Sequence, residues 1–377
     1  MTYSVYQHWD PLKVCVVGRS YPPEFYSWIT IPHVRALFEK IAIETEEDYQ
    51  QIIKKLQEFN VEVLRPDLPG VTFFNGKFIP PPMTPRDYTA MIGDVFYESF
   101  SIDLVKFYKD VKDQTWPECN SVEEFNNLPH FIHEEFIKIH SLDTYISMHA
   151  VYDKIYQQIR DNGNTIKHHI ESNIINGAMI SRIGKDLFFG TQSYDQDTAK
   201  FKKQIDAEFS NTRNHIVNTG GHGDGTYCPV CPGLIISLRD VPTYADSFPG
   251  WEVVYLPGQS WTKVKPFLNL KEKNAGKWWI PGFEQDQAVV DVVETWLGHW
   301  TGYVEETVFD VNMLIIDPKN VMVFNYNKQV FDALNRYGIT AHIVPFRHRY
   351  FWDGGIHCVT SDLHREGTMQ DYFPERY

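Results

Sequence analysis

Short apolar runs alternate along this chain with segments of helical period, and they recur in the order hairpin, helix, strand. Residues 12–17 (LKVCVV) predict a buried strand that ends at Gly18. Residues 44–59 carry apolar positions at helical spacing with acids in the first turn, which predicts a helix. A strand over 61–64 then stops at Pro66, and the Pro- and Gly-rich stretch 67–85 predicts a long loop. Residues 88–99 read as strand, turn, strand around Gly93-Asp94. The syntax then returns. A helix over 149–160 leads to a turn at Asn162-Gly163-Asn164, and 178–183 pairs with 187–190 about Gly184-Lys185-Asp186. A helix over 198–209, strands over 215–218, 234–238 and 251–256, and a helix over 286–297 follow. The last cycle is a hairpin of 311–316 and 321–324, a helix over 327–337 closed by Gly338, and a strand over 340–344.

A doubly wound parallel sheet shows single strands between helices. Here the strands come as hairpins joined by helices, which predicts a cyclic α/β arrangement of similar modules in one domain over 1–377. Residues 100–145 are poor in regular pattern and read as an insertion or lid.

Charge and composition narrow the partners. Lys plus Arg number 35 and Asp plus Glu 49, a net charge of −14. Nucleic-acid binding needs a cationic footprint, and anionic lipid attracts basic segments, so neither is expected. No apolar run approaches the ~20 residues of a membrane helix. The first ten residues have neither a basic nor an apolar segment of a signal peptide. With five cysteines, an odd number, the expected setting is a reducing cytoplasm.

Three stretches could carry chemistry. In Asp353-Gly354-Gly355-Ile356-His357-Cys358 two glycines precede a thiol, which suits a nucleophile presented at the end of a turn. A structural cysteine after a loop is the plain alternative. In Thr219-Gly220-Gly221-His222-Gly223-Asp224-Gly225, a strand would point His222 and Asp224 the same way, as a proton relay beside a nucleophile. The glycine spacing matches neither the Walker nor the dinucleotide pattern. Cys228-Pro229-Val230-Cys231 lacks the second pair that a zinc ribbon needs, so structural cysteines and no metal are expected.

With Cys358, His222 and Asp224 in view, the chain resembles the guanidino-group-modifying enzymes, and within them the arginine:glycine amidinotransferases. His8-Trp9-Asp10-Pro11-Leu12 resembles the family's Glu-Trp-Asp-Pro-Leu opening. Pro85-Arg86-Asp87, leading to Gly93-Asp94 and Glu98, resembles its Pro-Arg-Asp segment, and His222-Gly223-Asp224 its His-x-Asp signature. Residues 312–323 resemble the hairpin of its fourth module. Gly354-Gly355-Ile356-His357-Cys358, followed by 365–372, resembles its terminus. The resemblance spans the whole chain. It implies a pentein fold: a five-bladed α/β propeller of pseudo-fivefold symmetry with the active site in the central cavity. It implies Cys358, His222 and Asp224 as catalytic residues. Asp87, Met179, Arg239, Asp310, Asn312 and Gly355 are the implied substrate contacts. Met179 stands where the family has a guanidinium-binding acid, so its side chain is expected to line the pocket. Asp310 falls where a serine is usual, and Arg239 lies two residues before the position of the family's arginine. The implied reaction moves an amidino group from arginine to an amine, glycine by default, through an amidino-cysteine, with no cofactor. A homodimer is compatible with it. Two rival readings are a deiminase or dihydrolase, using water on the same intermediate, and a non-catalytic binder of guanidino compounds.

Overall fold

The computed structural model describes residues 2–70, 72–74, 77–99, 150–169, 176–191, 196–238, 244–256, 280, 282–283, 286–297, 300, 310–352 and 354–376. Short pieces between 114 and 132 are also described. Most of the expected insertion at 100–145 lies outside these residues, as does Arg239.

The strands are β1 (Leu12–Val17), β2 (Glu62–Leu64), β3 (Phe73–Phe74), β4 (Lys77–Phe78), β5 (Thr89–Ile92), β6 (Val95–Ser99), β7 (Thr165–His169), β8 (Ile180–Ile183), β9 (Asp186–Gly190), β10 (Arg213–Val217), β11 (Tyr227–Cys231), β12 (Leu234–Ser237), β13 (Glu252–Tyr255), β14 (Leu314–Asp317), β15 (Asn320–Val323), β16 (Thr340–Ile343) and β17 (Thr360–Arg365). Apart from the small β3–β4 hairpin they form three-stranded sheets of one design. A central strand pairs antiparallel with one neighbour and parallel with the other. The trios are β5-β6-β7, β8-β9-β10, β11-β12-β13, β14-β15-β16 and β17-β1-β2. Each parallel partner is reached by a crossover. Helices Pro32–Glu58, Asp153–Asp161, Thr198–Glu208 and Lys328–Arg336 lie on these crossovers. In the last trio β1 from one end of the sequence pairs with β17 from the other, which closes the ring.

Packing follows the ring. One apolar cluster joins Val14 and Val16 of β1 to Met91, Phe96 and Ile159. The next joins Ala90 and Ile92 to Ile180, Phe189 and Phe201. A third runs from Ile183 and Phe188 through Ile235 to Ile315 and Leu334. A fourth joins Leu314 and Met322 to Cys15, Phe38 and Ile52. Each sheet therefore buries its faces against its neighbours around the ring, and the pentein architecture is confirmed.

Local chemistry sets these elements. Asp197, Asp286 and Asn327 cap their helices, each with a side-chain oxygen accepting two backbone N–H groups. The two-residue β8–β9 turn puts Gly184 at φ +63°, where a Cβ would lie 2.0 Å from the Gln370 carbonyl oxygen. The structure extends two expectations. The helix placed at 44–59 begins at Pro32, because Val34, Phe38 and Ile41 continue its buried stripe. The stretch 227–231, read only as carrying structural cysteines, is strand β11. Its Pro229 is tolerated because β11 is an edge strand.

Candidate active site

Cys358 lies in a tight turn immediately before β17, and it is 1% exposed. The turn is held by Val359 N–H to the Gly355 carbonyl at 3.1 Å and by the Thr360 hydroxyl to the Ile356 carbonyl at 2.7 Å. Gly355 is required here, because a Cβ would sit 2.2 Å from Asn312 Oδ1. That oxygen accepts the His357 N–H at 2.8 Å and the Cys358 N–H at 3.3 Å. Asn312 Nδ2 lies 3.1 Å from the Cys358 sulfur. Asn312, expected to touch substrate, is buried with its amide turned onto the Cys358 turn.

Asp224 approaches from another module. Its N–H donates to the Ala178 carbonyl at 2.9 Å. Its Oδ2 lies 2.7 Å from His357 Nδ1 and 3.5 Å from the Cys358 sulfur. Burial pushes His357 well below the ordinary histidine range, and the charge of Arg86 and the neighbouring His8 push the same way. His357 is thus neutral, and its Nδ1 carries the proton it donates to Asp224. His222 and Asp224 do not sit on a strand as expected: both belong to the turn before β11, and they face different partners. His222 Nδ1 is 3.9 Å from Asp87 Oδ1, and its Nε2 is 3.5 Å from Asn176 Nδ2. Asp87 follows Arg86, whose N–H donates to the Cys358 carbonyl at 3.3 Å. Segments from four modules therefore meet at the thiol.

Beside this meeting point lies a buried charge cluster that the sequence reading missed. The Asp362 carboxylate takes Arg86 Nη1 at 2.6 Å, Arg182 Nη2 at 2.8 Å and Arg365 Nε at 2.6 Å. Burial alone would raise this carboxyl; Arg182, Arg86 and Arg365 overcome it and hold it well below the usual range. Arg86 Nε also donates to the Thr360 carbonyl at 3.0 Å, so the cluster ties the Cys358 turn to the Asp87 segment. A cavity of about 20 Å³ lies behind Asp224 and His357, lined also by His8, Tyr227 and Arg365. That is room for about one water and too little for a substrate.

The remaining expected contacts divide. The Met179 side chain does not stand in for a guanidinium contact: it packs in the apolar cluster with Phe189 and Phe201, its methyl 3.4 Å from where a Gly190 Cβ would be. Asp310 directs its carboxylate to Asn325 Nδ2 and, at 2.7 Å, to Asn327 Nδ2, so it braces the cap of helix Lys328–Arg336. Cys228 and Cys231 are buried on β11, and burial pushes their thiols up to about 12 and about 11. Among the described residues no His, Cys, Asp and Glu group could hold a metal. Among them, too, no helix is long and apolar enough to cross a membrane.

No family model matches the chain. A stretch of 152 residues, 40% of the chain, is 28% identical to the mitochondrial glycine amidinotransferase of Xenopus tropicalis, covering 28% of that protein's length. Over 152 residues the chain is also 22% identical to the L-arginine:L-lysine amidinotransferase of Pseudomonas savastanoi pv. phaseolicola, covering 32% of that protein. Among solved structures, SxtG, an amidinotransferase from Microseira wollei in the saxitoxin biosynthetic pathway, aligns over 99% of this chain and 100% of its own. Its TM-score is 0.60 at 16% identity. Inosamine-phosphate amidinotransferase StrB1 from Streptomyces griseus aligns over 98% and 99%, with TM-score 0.60 at 17% identity. The ring of repeated modules is the fold of these two amidinotransferase structures, and the chain spans about a third or less of the length of the curated amidinotransferases it is similar to.

Proposed function

We propose that this enzyme moves the amidino group of arginine to an acceptor amine, glycine by default, through a covalent amidino-cysteine on Cys358. The observation that carries the reading is the buried thiol held between the Asn312 amide and the Asp224 carboxylate. A guanidinium carbon is resonance-stabilised and needs a soft nucleophile, which a thiolate is. In the reaction the Cys358 sulfur attacks that carbon, and the carbon–nitrogen bond to the ornithine part breaks. His222 gives its proton to the departing amine. The acceptor amine then loses a proton to His222 and attacks the amidino carbon, and the carbon–sulfur bond breaks. Asp224 and Asp87 supply carboxylates for the cationic amidine. With Met179 packed into the core, these two carry the recognition that the acid at that position would have shared.

The test is product analysis by mass spectrometry of arginine incubated with glycine, lysine and other amines. Ornithine and a new guanidino compound are expected. Citrulline or ammonia without transfer would instead identify a hydrolase. Failure of arginine, canavanine and guanidinoacetate alike to react would overturn the transferase reading.

A further inference from the structure

Asn312 makes its contacts in a way that fixes which end of its amide faces the sulfur. Two backbone N–H groups, of His357 and Cys358, point at one atom of the side chain, at 2.8 and 3.3 Å. Only the amide oxygen can accept them, so the NH2 end is the one 3.1 Å from Cys358 Sγ. The nitrogen also lies 3.4 Å from the Asp224 carbonyl, which holds the amide plane from the other side. The side chain is 1% exposed, and the close approach of Gly355, which has room for no Cβ, pins it in that rotamer.

We propose that Asn312 is a further catalytic residue, whose amide N–H stabilises the Cys358 sulfur as the thiolate that attacks the amidino carbon. The proposal rests on the covalent reading of Cys358 given above. A hydrogen-bond donor aimed at a charged atom favours the charged form, and it is worth most in a buried site, where solvent does not compete. Among the described residues, the other groups around the sulfur do not supply this. Asp224 Oδ2, at 3.5 Å, is negative and favours the thiol. His357 is neutral, and its imidazole proton goes to Asp224. Arg86, from the helical turn Pro85–Tyr88, spends its charge on Asp362 and on the carbonyls of His357 and Thr360. His222 lies against Asp87 and Asn176. Among the described residues, Asn312 accordingly counterbalances Asp224 at the sulfur. Its oxygen meanwhile holds the two N–H groups that fix where the sulfur stands.

The test is the pH dependence of Cys358 alkylation by iodoacetamide, read on the Cys358 peptide by mass spectrometry in the full chain. It needs no amidino donor, so it stands apart from the transferase reading. Buried Cys15 and Cys228, pushed up to about 12, are internal references that stay slow. Asn312→Asp keeps the size and the accepting oxygen but removes the fixed donor. Asn312→Ser is smaller and cannot reach the sulfur. Both variants are expected to move the alkylation midpoint up by about one pH unit or more, roughly a tenfold loss of thiolate at neutral pH. An unchanged or lowered midpoint in either folded variant, judged by circular dichroism, would overturn the proposal. A raised midpoint in a chain that transfers no amidino group would leave it standing and sink only the transferase reading.

Discussion

Two histidine–aspartate contacts meet at this site, and they are built for different work. His357 and Asp224 are about 10% and 9% exposed and 2.7 Å apart; His222 and Asp87 are 35% and 20% exposed and 3.9 Å apart. A buried imidazole held neutral beside a carboxylate gives one fixed hydrogen bond and cannot cycle a proton near neutral pH. A half-exposed imidazole in a looser contact can reach the nitrogens of a substrate. The difference teaches that adjacency in sequence to Cys358, the proposed nucleophile, does not by itself assign an acid–base role. His357 borders Cys358 along the chain, yet its place is to orient Asp224. His222, more than a hundred residues earlier, is the proton carrier of the proposed reaction.

The comparison is broken most severely at His222. His222→Asn is expected to lower kcat by roughly two to four decades, the usual range for a general acid–base, with thermal stability close to wild type. Steady-state kinetics and a melting curve together check this. A rate within a few-fold of wild type would make His222 a bystander and reopen the choice between the two histidines.

His357→Asn is the milder perturbation. An amide can still donate to Asp224, so the expected effect is roughly a tenfold rise in KM for the donor, with kcat changing less. The reason is that Asp224, the carboxylate His357 orients, is assigned to bind the cationic amidine. A loss in kcat as large as that of His222→Asn, with the acid limb of the pH profile also gone, would contradict the division of labour.

The smallest effect is on stability. His8 is also held well below the ordinary range, by burial and by Arg182. Below about pH 6.5 the unfolded chain protonates both buried imidazoles while the folded chain protonates neither. The unfolded state then binds more protons, so stability falls as pH falls, by up to about 1.4 kcal/mol per pH unit for each histidine. Urea midpoints between pH 7.5 and 5.5 should show this slope, and His357→Asn should remove one histidine's share. A flat profile in the wild type would mean that these imidazoles charge in the folded state.

The sequence revealed its local rules and hid its long-range ones. Hairpins about Gly93 and Gly184 and the helix starts at Asp197, Asp286 and Asn327 were legible because turns and caps are properties of neighbouring residues. Strand β11 was hidden by Pro229, acceptable only because the ladder leaves that strand at an edge. The start of helix Pro32–Glu58 was hidden by acids further along that resemble a first turn. At the site, the Gly-Gly-x-His-Cys pattern announced Cys358. The bonds of Asn312 to residues 45 positions away and of Asp362 to Arg182, 180 positions away, exist only once the ring closes. Met179 shows the complementary limit: resemblance gave its place in the chain, while the direction of its side chain was decided by apolar packing between β8, β9 and helix Thr198–Glu208.

The central claim is that Cys358 carries the amidino group. Enzyme incubated with arginine, quenched in acid during turnover and digested, should show the Cys358 peptide heavier by about 42 Da, the mass of one amidino group replacing the thiol proton. The adduct should fade when excess acceptor amine is present, and Cys358→Ala should neither form it nor turn over. Ornithine and guanidino product appearing at the wild-type rate from Cys358→Ala would contradict the account.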